Sequence, residues 1–100
     1  MKSIMHDKAE KTCYLCKMFN GDYSVKTGLQ EHHVFGAANR PLSTKYGLTV
    51  YLCLWHHTEG KEAVHQNAVN MDILHKAGQK AFESKYPELN FKNIFGRNYL

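Results

Sequence analysis

The sequence has little that would mark a secreted, membrane-bound or unstructured chain. Its longest largely apolar stretch, residues 48–55, is eight residues, far short of the roughly 20 that a membrane-crossing helix needs. The opening residues, Met1-Lys2-Ser3-Ile4-Met5-His6-Asp7-Lys8, are polar and hold no apolar core of signal-peptide length. The expectation is a cytoplasmic protein with no membrane partner. Cysteine is scarce, at three residues. An odd number without a secretion signal argues against a disulfide framework and, in a reducing compartment, towards metal. No internal repeat or low-complexity tract appears. With 43% hydrophobic and 12% aromatic residues, the chain is too apolar for wholesale disorder. One hundred residues are expected to form one domain, 1–100.

Positive charge and histidine are what the chain does have. Thirteen Lys and Arg against nine Asp and Glu leave a net charge of +4, a balance that suits a polyanion such as nucleic acid. Seven histidines are unusual for this length, and their positions carry the argument.

Residues 1–12 read as a polar arm or short helix, followed by Cys13-Tyr14-Leu15-Cys16 and a turn at Asn20-Gly21. His32-His33-Val34-Phe35 reads as a short strand stopped by Gly36. Gly36, Asn39-Arg40-Pro41 and Gly47 break up residues 37–47, which read as a loop. Leu48-Thr49-Val50-Tyr51-Leu52-Cys53 is the best strand, β-branched and aromatic. From Lys61 to about Lys85 there is no proline, and Val64, Ala68, Met71, Leu74, Ala77, Ala81 and Phe82 recur at helical spacing. That predicts one amphipathic helix with a core-packing stripe, a weak point at Gly78 and a stop at Pro87. Phe91, Ile94 and Phe95 are spaced for a short helix capping the core.

Cys13-x2-Cys16 and Cys53-x2-His56 form two paired knuckles. A two-residue gap lets both side chains of a tight turn converge on one tetrahedral ion, and a closed Cys3His set is the structural kind of zinc site. A domain this small buries only about two-thirds of its surface, so a zinc staple adding about 10 kcal/mol would matter to its folding. Three buried free thiols are the plain alternative. A redox Cys-x2-Cys would call for a thioredoxin-like βαβ pattern, which is not present. Trp55, inside the second knuckle, reads as a packing cover for the zinc. The predicted fold class is α+β: a small zinc-stapled domain with a two-stranded hairpin and a long helix.

His32, His33, His57 and His65 remain, with His6 and His75 read as ordinary hydrogen-bonded residues. Neighbours on a strand face opposite ways, so His32 and His33 have separate tasks. On one regular helix His57 and His65 would lie about 12 Å apart. Gly60 between them lets the chain fold back, so that both imidazoles can meet His32. The outcome is a three-histidine site with open positions, the catalytic arrangement, beside a free imidazole able to take a proton from water.

Glu31-His32-His33-Val34-Phe35 on a strand, then Leu52-Cys53-x2-His56-His57 and a helix, resembles the HNH (His-Me finger, ββα-metal) endonucleases, and within them the zinc-knuckle proteins common in phages. The resemblance covers roughly residues 13–68, leaving 69–100 as a helical extension. It implies His33 as general base, His32 and His57 as ligands of a catalytic ion with His65 as an additional one, and Cys13, Cys16, Cys53 and His56 as the structural zinc set. His56 stands where the family more often has a second cysteine. The family's middle Asn is replaced by Leu48, and Asn39 is the one asparagine of the connecting segment.

What the resemblance implies is metal-dependent hydrolysis of DNA phosphodiester bonds by a bacterial or phage-encoded enzyme, nicking with low sequence specificity. Mg²⁺ or Mn²⁺ is the expected ion, while an all-histidine site also suits Zn²⁺ or Ni²⁺. Arg40, Lys45 and Lys61 are candidate phosphate contacts. Phage packaging, recombination and restriction are compatible settings, and DNA and phage or recombination proteins are the expected partners. A nucleic-acid-binding zinc module without catalysis and a zinc-stapled protein-interaction domain are the alternatives.

Overall fold

In the computed structural model of the chain, which describes residues 2–100, strands β1 (Gln30–His33) and β2 (Thr49–Leu52) pair antiparallel. Gln30 lies opposite Leu52 and His33 opposite Thr49. Helix α1 (Tyr14–Asn20) precedes the pair, α2 (Arg40–Lys45) lies between the strands, and α3 (Ala68–Lys85) and α4 (Phe91–Phe95) follow. A two-stranded sheet with a long helix makes this a small α+β fold. No helix among the described residues is long and apolar enough to cross a membrane.

The core is built where these elements meet. Leu15 of α1, Val50 and Leu52 of β2, Val34 and Phe35 after β1, and Leu74 and Phe82 of α3 are all buried. Phe91 and Phe95 of α4 stack on each other at 4.4 Å and reach Phe35 and Phe82, closing the core as the tail's spacing predicts. Gly78 is where α3 crosses Val34 and Phe35: a Cβ there would sit 2.8 Å from Val34 Cγ1 and 3.0 Å from Phe35. The residue read as a weak point is the one that permits this close approach.

The structure corrects the sequence reading in several places. The long helix begins at Ala68 rather than Lys61, because Asn67 caps it, its side chain accepting from Asn70 N–H at 3.1 Å. Residues 61–67 instead double back along the second knuckle, with Val64 N–H donating to His56 O at 2.8 Å. The segment 37–47, expected as a loop, holds a 3-10 turn (Ala37–Asn39) and α2. Pro41 sits in the first turn of α2, where its missing N–H costs nothing. The arm at 1–12 is docked, with Met1 outside the described residues. Ile4 N–H donates to Gly47 O at 2.9 Å, and the buried His6 accepts from Tyr51 N–H at 3.1 Å on the free edge of β2. Trp55 is 55% exposed and lies against Gly60, so it is not a closed lid.

Candidate metal centres

Cys13 caps α1, its sulfur accepting from Cys16 N–H at 3.5 Å, so the first knuckle is the opening turn of a helix. The second follows β2, where the N–H groups of His56 and His57 both donate to Cys53 O at 3.1 and 2.9 Å. This wide turn spans Trp55–Glu59 and swings His56 back over its own cysteine. His56 Nδ1 then lies 3.6, 3.4 and 3.4 Å from the sulfurs of Cys13, Cys16 and Cys53, and the Cys16 and Cys53 sulfurs are 3.8 Å apart.

Those four lengths match edges of a tetrahedron. With metal–sulfur bonds of about 2.3 Å and metal–nitrogen bonds of about 2.0–2.1 Å, tetrahedral geometry requires edges of about 3.5 Å to nitrogen and about 3.8 Å between sulfurs. The donor chemistry agrees. Burial, then the neighbouring Cys13 thiol, push the Cys16 thiol up to about 12, a state that a dication among the sulfurs reverses by favouring thiolates. His56 is 2% exposed, and its Nε2 has no hydrogen bond among the described residues; the Glu62 carboxylate is 3.6 Å from it. The four residues could hold a metal ion.

A second group forms from His32, His57 and His65. His32 is inward-facing on β1 and 4% exposed, its Nε2 buried without a hydrogen-bond partner among the described residues. His57 directly follows the first centre. His65 is delivered by the doubled-back segment, its N–H donating to His57 O at 3.4 Å. Gly60 makes the reversal feasible, since a Cβ there would collide with the Trp55 ring at 2.4 Å. His57 Nε2 and His65 Nε2 are 3.1 Å apart, and the three ring centroids form a triangle of 5.3, 5.3 and 4.8 Å. Nitrogens sharing an ion at about 2.1 Å lie roughly 3.0–3.4 Å from one another. Burial, then the neighbouring His57 and His65, pull His32 down to about 3. It is therefore the neutral imidazole that ligation requires.

These imidazoles line a cleft of about 350 Å³ together with Glu31, His33, Arg40 and His75. His33 is on its wall, Nε2 3.8 Å from Glu31 Oε1, with its pKa lowered by burial and by Arg40. At neutral pH it is a proton acceptor. Arg40 thus comes to the cleft. Lys45, five residues further along α2, is about 140° round the helix axis and holds its ammonium over Tyr46. Lys61 is exposed on the doubled-back segment. Asn39 donates to Phe95 O at 3.0 Å, which commits it to α4, and Leu48 is fully buried in the core. His6 has the structural role read for it; His75 stacks on Phe35 at 5.3 Å on the rim of the cleft.

Sequence reasoning missed two contributors. Gln30 accepts from His57 Nδ1 at 2.6 Å; its spacing of two from His32 on a strand was the available signal. Ser43 is fully buried on α2, and its hydroxyl accepts from Phe35 N–H at 2.9 Å, fixing the chain just beyond His33. Nothing in its local pattern points to that. Compared with known proteins, the chain matches no family model, no curated protein and no solved structure.

Proposed function

We propose that the protein is a metal-dependent endonuclease that hydrolyses DNA phosphodiester bonds, nicking with low sequence specificity, as a cytoplasmic enzyme of bacterial or phage origin. The observation that carries this reading is the single cleft walled by three converging imidazoles and by a fourth, His33, that belongs to neither ligand set. Cys13, Cys16, Cys53 and His56 hold a structural zinc, the ion whose preferred tetrahedron their spacing fits.

A divalent ion bound by His32, His57 and His65, Mg²⁺ or Mn²⁺ with Zn²⁺ or Ni²⁺ as substitutes, would supply positive charge against the scissile phosphate and the departing oxygen. His33, neutral at physiological pH, accepts a proton from water as its oxygen bonds to phosphorus. The bond to the 3′ oxygen breaks, solvent protonates that oxygen, and the products carry 5′-phosphate and 3′-hydroxyl ends. Arg40 holds a phosphate oxygen at the cleft wall, and the net charge of +4 draws DNA without reading its bases.

Supercoiled plasmid incubated with Mn²⁺ tests the reading. Nicking by the wild type that vanishes in His33→Ala, with DNA binding retained, supports it. Leu48 favours a second reading: a buried leucine cannot make the hydrogen bonds of the asparagine that the HNH pattern has at that place. A nucleic-acid-binding zinc module without catalysis would bind the same plasmid and leave it intact with any divalent metal.

A further inference from the structure

We infer that Gln30 is a positioning residue for the three-imidazole site, holding His57 in the one tautomer and orientation that can ligate a divalent cation there. The inference rests on the metal-site half of the proposed function. His57 has two ring nitrogens, and only a nitrogen without a proton can bind metal. Gln30 Oε1 lies 2.6 Å from Nδ1. A carbonyl oxygen has no proton to give, so Nδ1 must carry the hydrogen, and the lone pair is left on Nε2. That atom is 3.1 Å from His65 Nε2 and faces the buried His32 ring at 5.3 Å between centroids. Were Nδ1 unprotonated instead, the N–H would sit on Nε2 and point into the cluster, blocking it.

The backbone explains why Gln30 can do this. It begins β1, two residues before His32 and so on the same strand face. Register places it opposite Leu52, the residue before the Cys53 whose carbonyl anchors the His57 turn. Ligand and orienting amide are therefore tied to the same pair of strands. Gln30 is exposed, so its replacement leaves the core intact.

Ni²⁺ titrated calorimetrically into untagged protein, its Cys3His site already filled with zinc, measures the second site without reference to cleavage. Wild type should take up one Ni²⁺. Gln30→Leu should bind it about 10–100-fold more weakly, the usual loss when the group orienting a ligating histidine is removed. Gln30→Glu, an acceptor only, should retain binding. Gln30→Lys, a donor only, should lose at least as much as the leucine variant. Equal affinity in wild type, leucine and lysine variants would overturn the role of Gln30 while leaving the site intact. No Ni²⁺ uptake by wild type would overturn the three-imidazole site itself. Nicking on the same samples reports separately on the proposed reaction.

Discussion

His56 and His57 are consecutive residues whose rings serve different clusters: His56 Nδ1 lies among three cysteine sulfurs, and His57 Nε2 lies 3.1 Å from His65 Nε2. Both backbone N–H groups donate to the same acceptor, Cys53 O. The turn that closes the cysteine cluster is the turn that presents the first imidazole of the histidine cluster. Order at the cysteine site is thus a precondition for order at the histidine site, and the reverse need not hold.

Cys53→Ser should therefore weaken both sites. Zinc content measured by atomic absorption should fall, and Ni²⁺ affinity at the histidines should fall with it. His65→Ala should lose only the second ion and keep its zinc. A Cys53→Ser protein with wild-type Ni²⁺ affinity would separate the two centres.

His33→Ala should cut the nicking rate by about 10²–10⁴-fold, the usual worth of a positioned general base. Thermal unfolding should barely move, because the His33 side chain is only partly buried and makes no close hydrogen bond among the described residues. A variant that nicks at the wild-type rate would remove His33 from the reaction.

Burial pulls the pKa of His32 down from 6.5 to about 3. The folded state holds it neutral, so its contribution is fully present above pH 6.5 and is lost as pH falls from 6.5 towards 3. That loss is about 1.4 kcal/mol per pH unit in protein without an ion at the histidines. Urea unfolding of zinc-loaded protein should show stability falling more steeply with acid in wild type than in His32→Leu. Equal slopes between pH 6.5 and pH 4.5 would contradict the assignment.

Ser43→Ala leaves the N–H of Phe35 buried without its acceptor. An unpaired buried donor costs about 1–3 kcal/mol, so the urea midpoint should drop accordingly. Gly78→Ala should also destabilise, by about 1–3 kcal/mol from overpacking against Val34 and Phe35, although alanine is the better helix former. A rise in melting temperature for Gly78→Ala would show that α3 is free to shift.

The parts of the site legible in the sequence are those written at short range. Two-residue spacings announced the knuckles, and the alternation of a strand separated His32 from His33. The glycine between His57 and His65 announced the reversal. What escaped depends on contacts distant in sequence or on a single polar atom. Asn67 starts α3 late by capping its N-terminus, although the apolar repeat continues upstream through Val64. Pro41 read as a breaker and turned out to start α2. His6 docks the arm onto Tyr51, 45 residues away, which no local pattern records. Gln30 lacked a motif because a neutral amide acquires meaning only once His57 is beside it.

In the proposed site His32, His57 and His65 grip a divalent ion while His33 stays free. Anomalous diffraction from crystals grown with Mn²⁺ distinguishes these roles. The expected result is a manganese peak shared by the three Nε2 atoms and a separate zinc peak among Cys13, Cys16, Cys53 and His56. A manganese ion bound to His33, or none within reach of the three imidazoles, would contradict it.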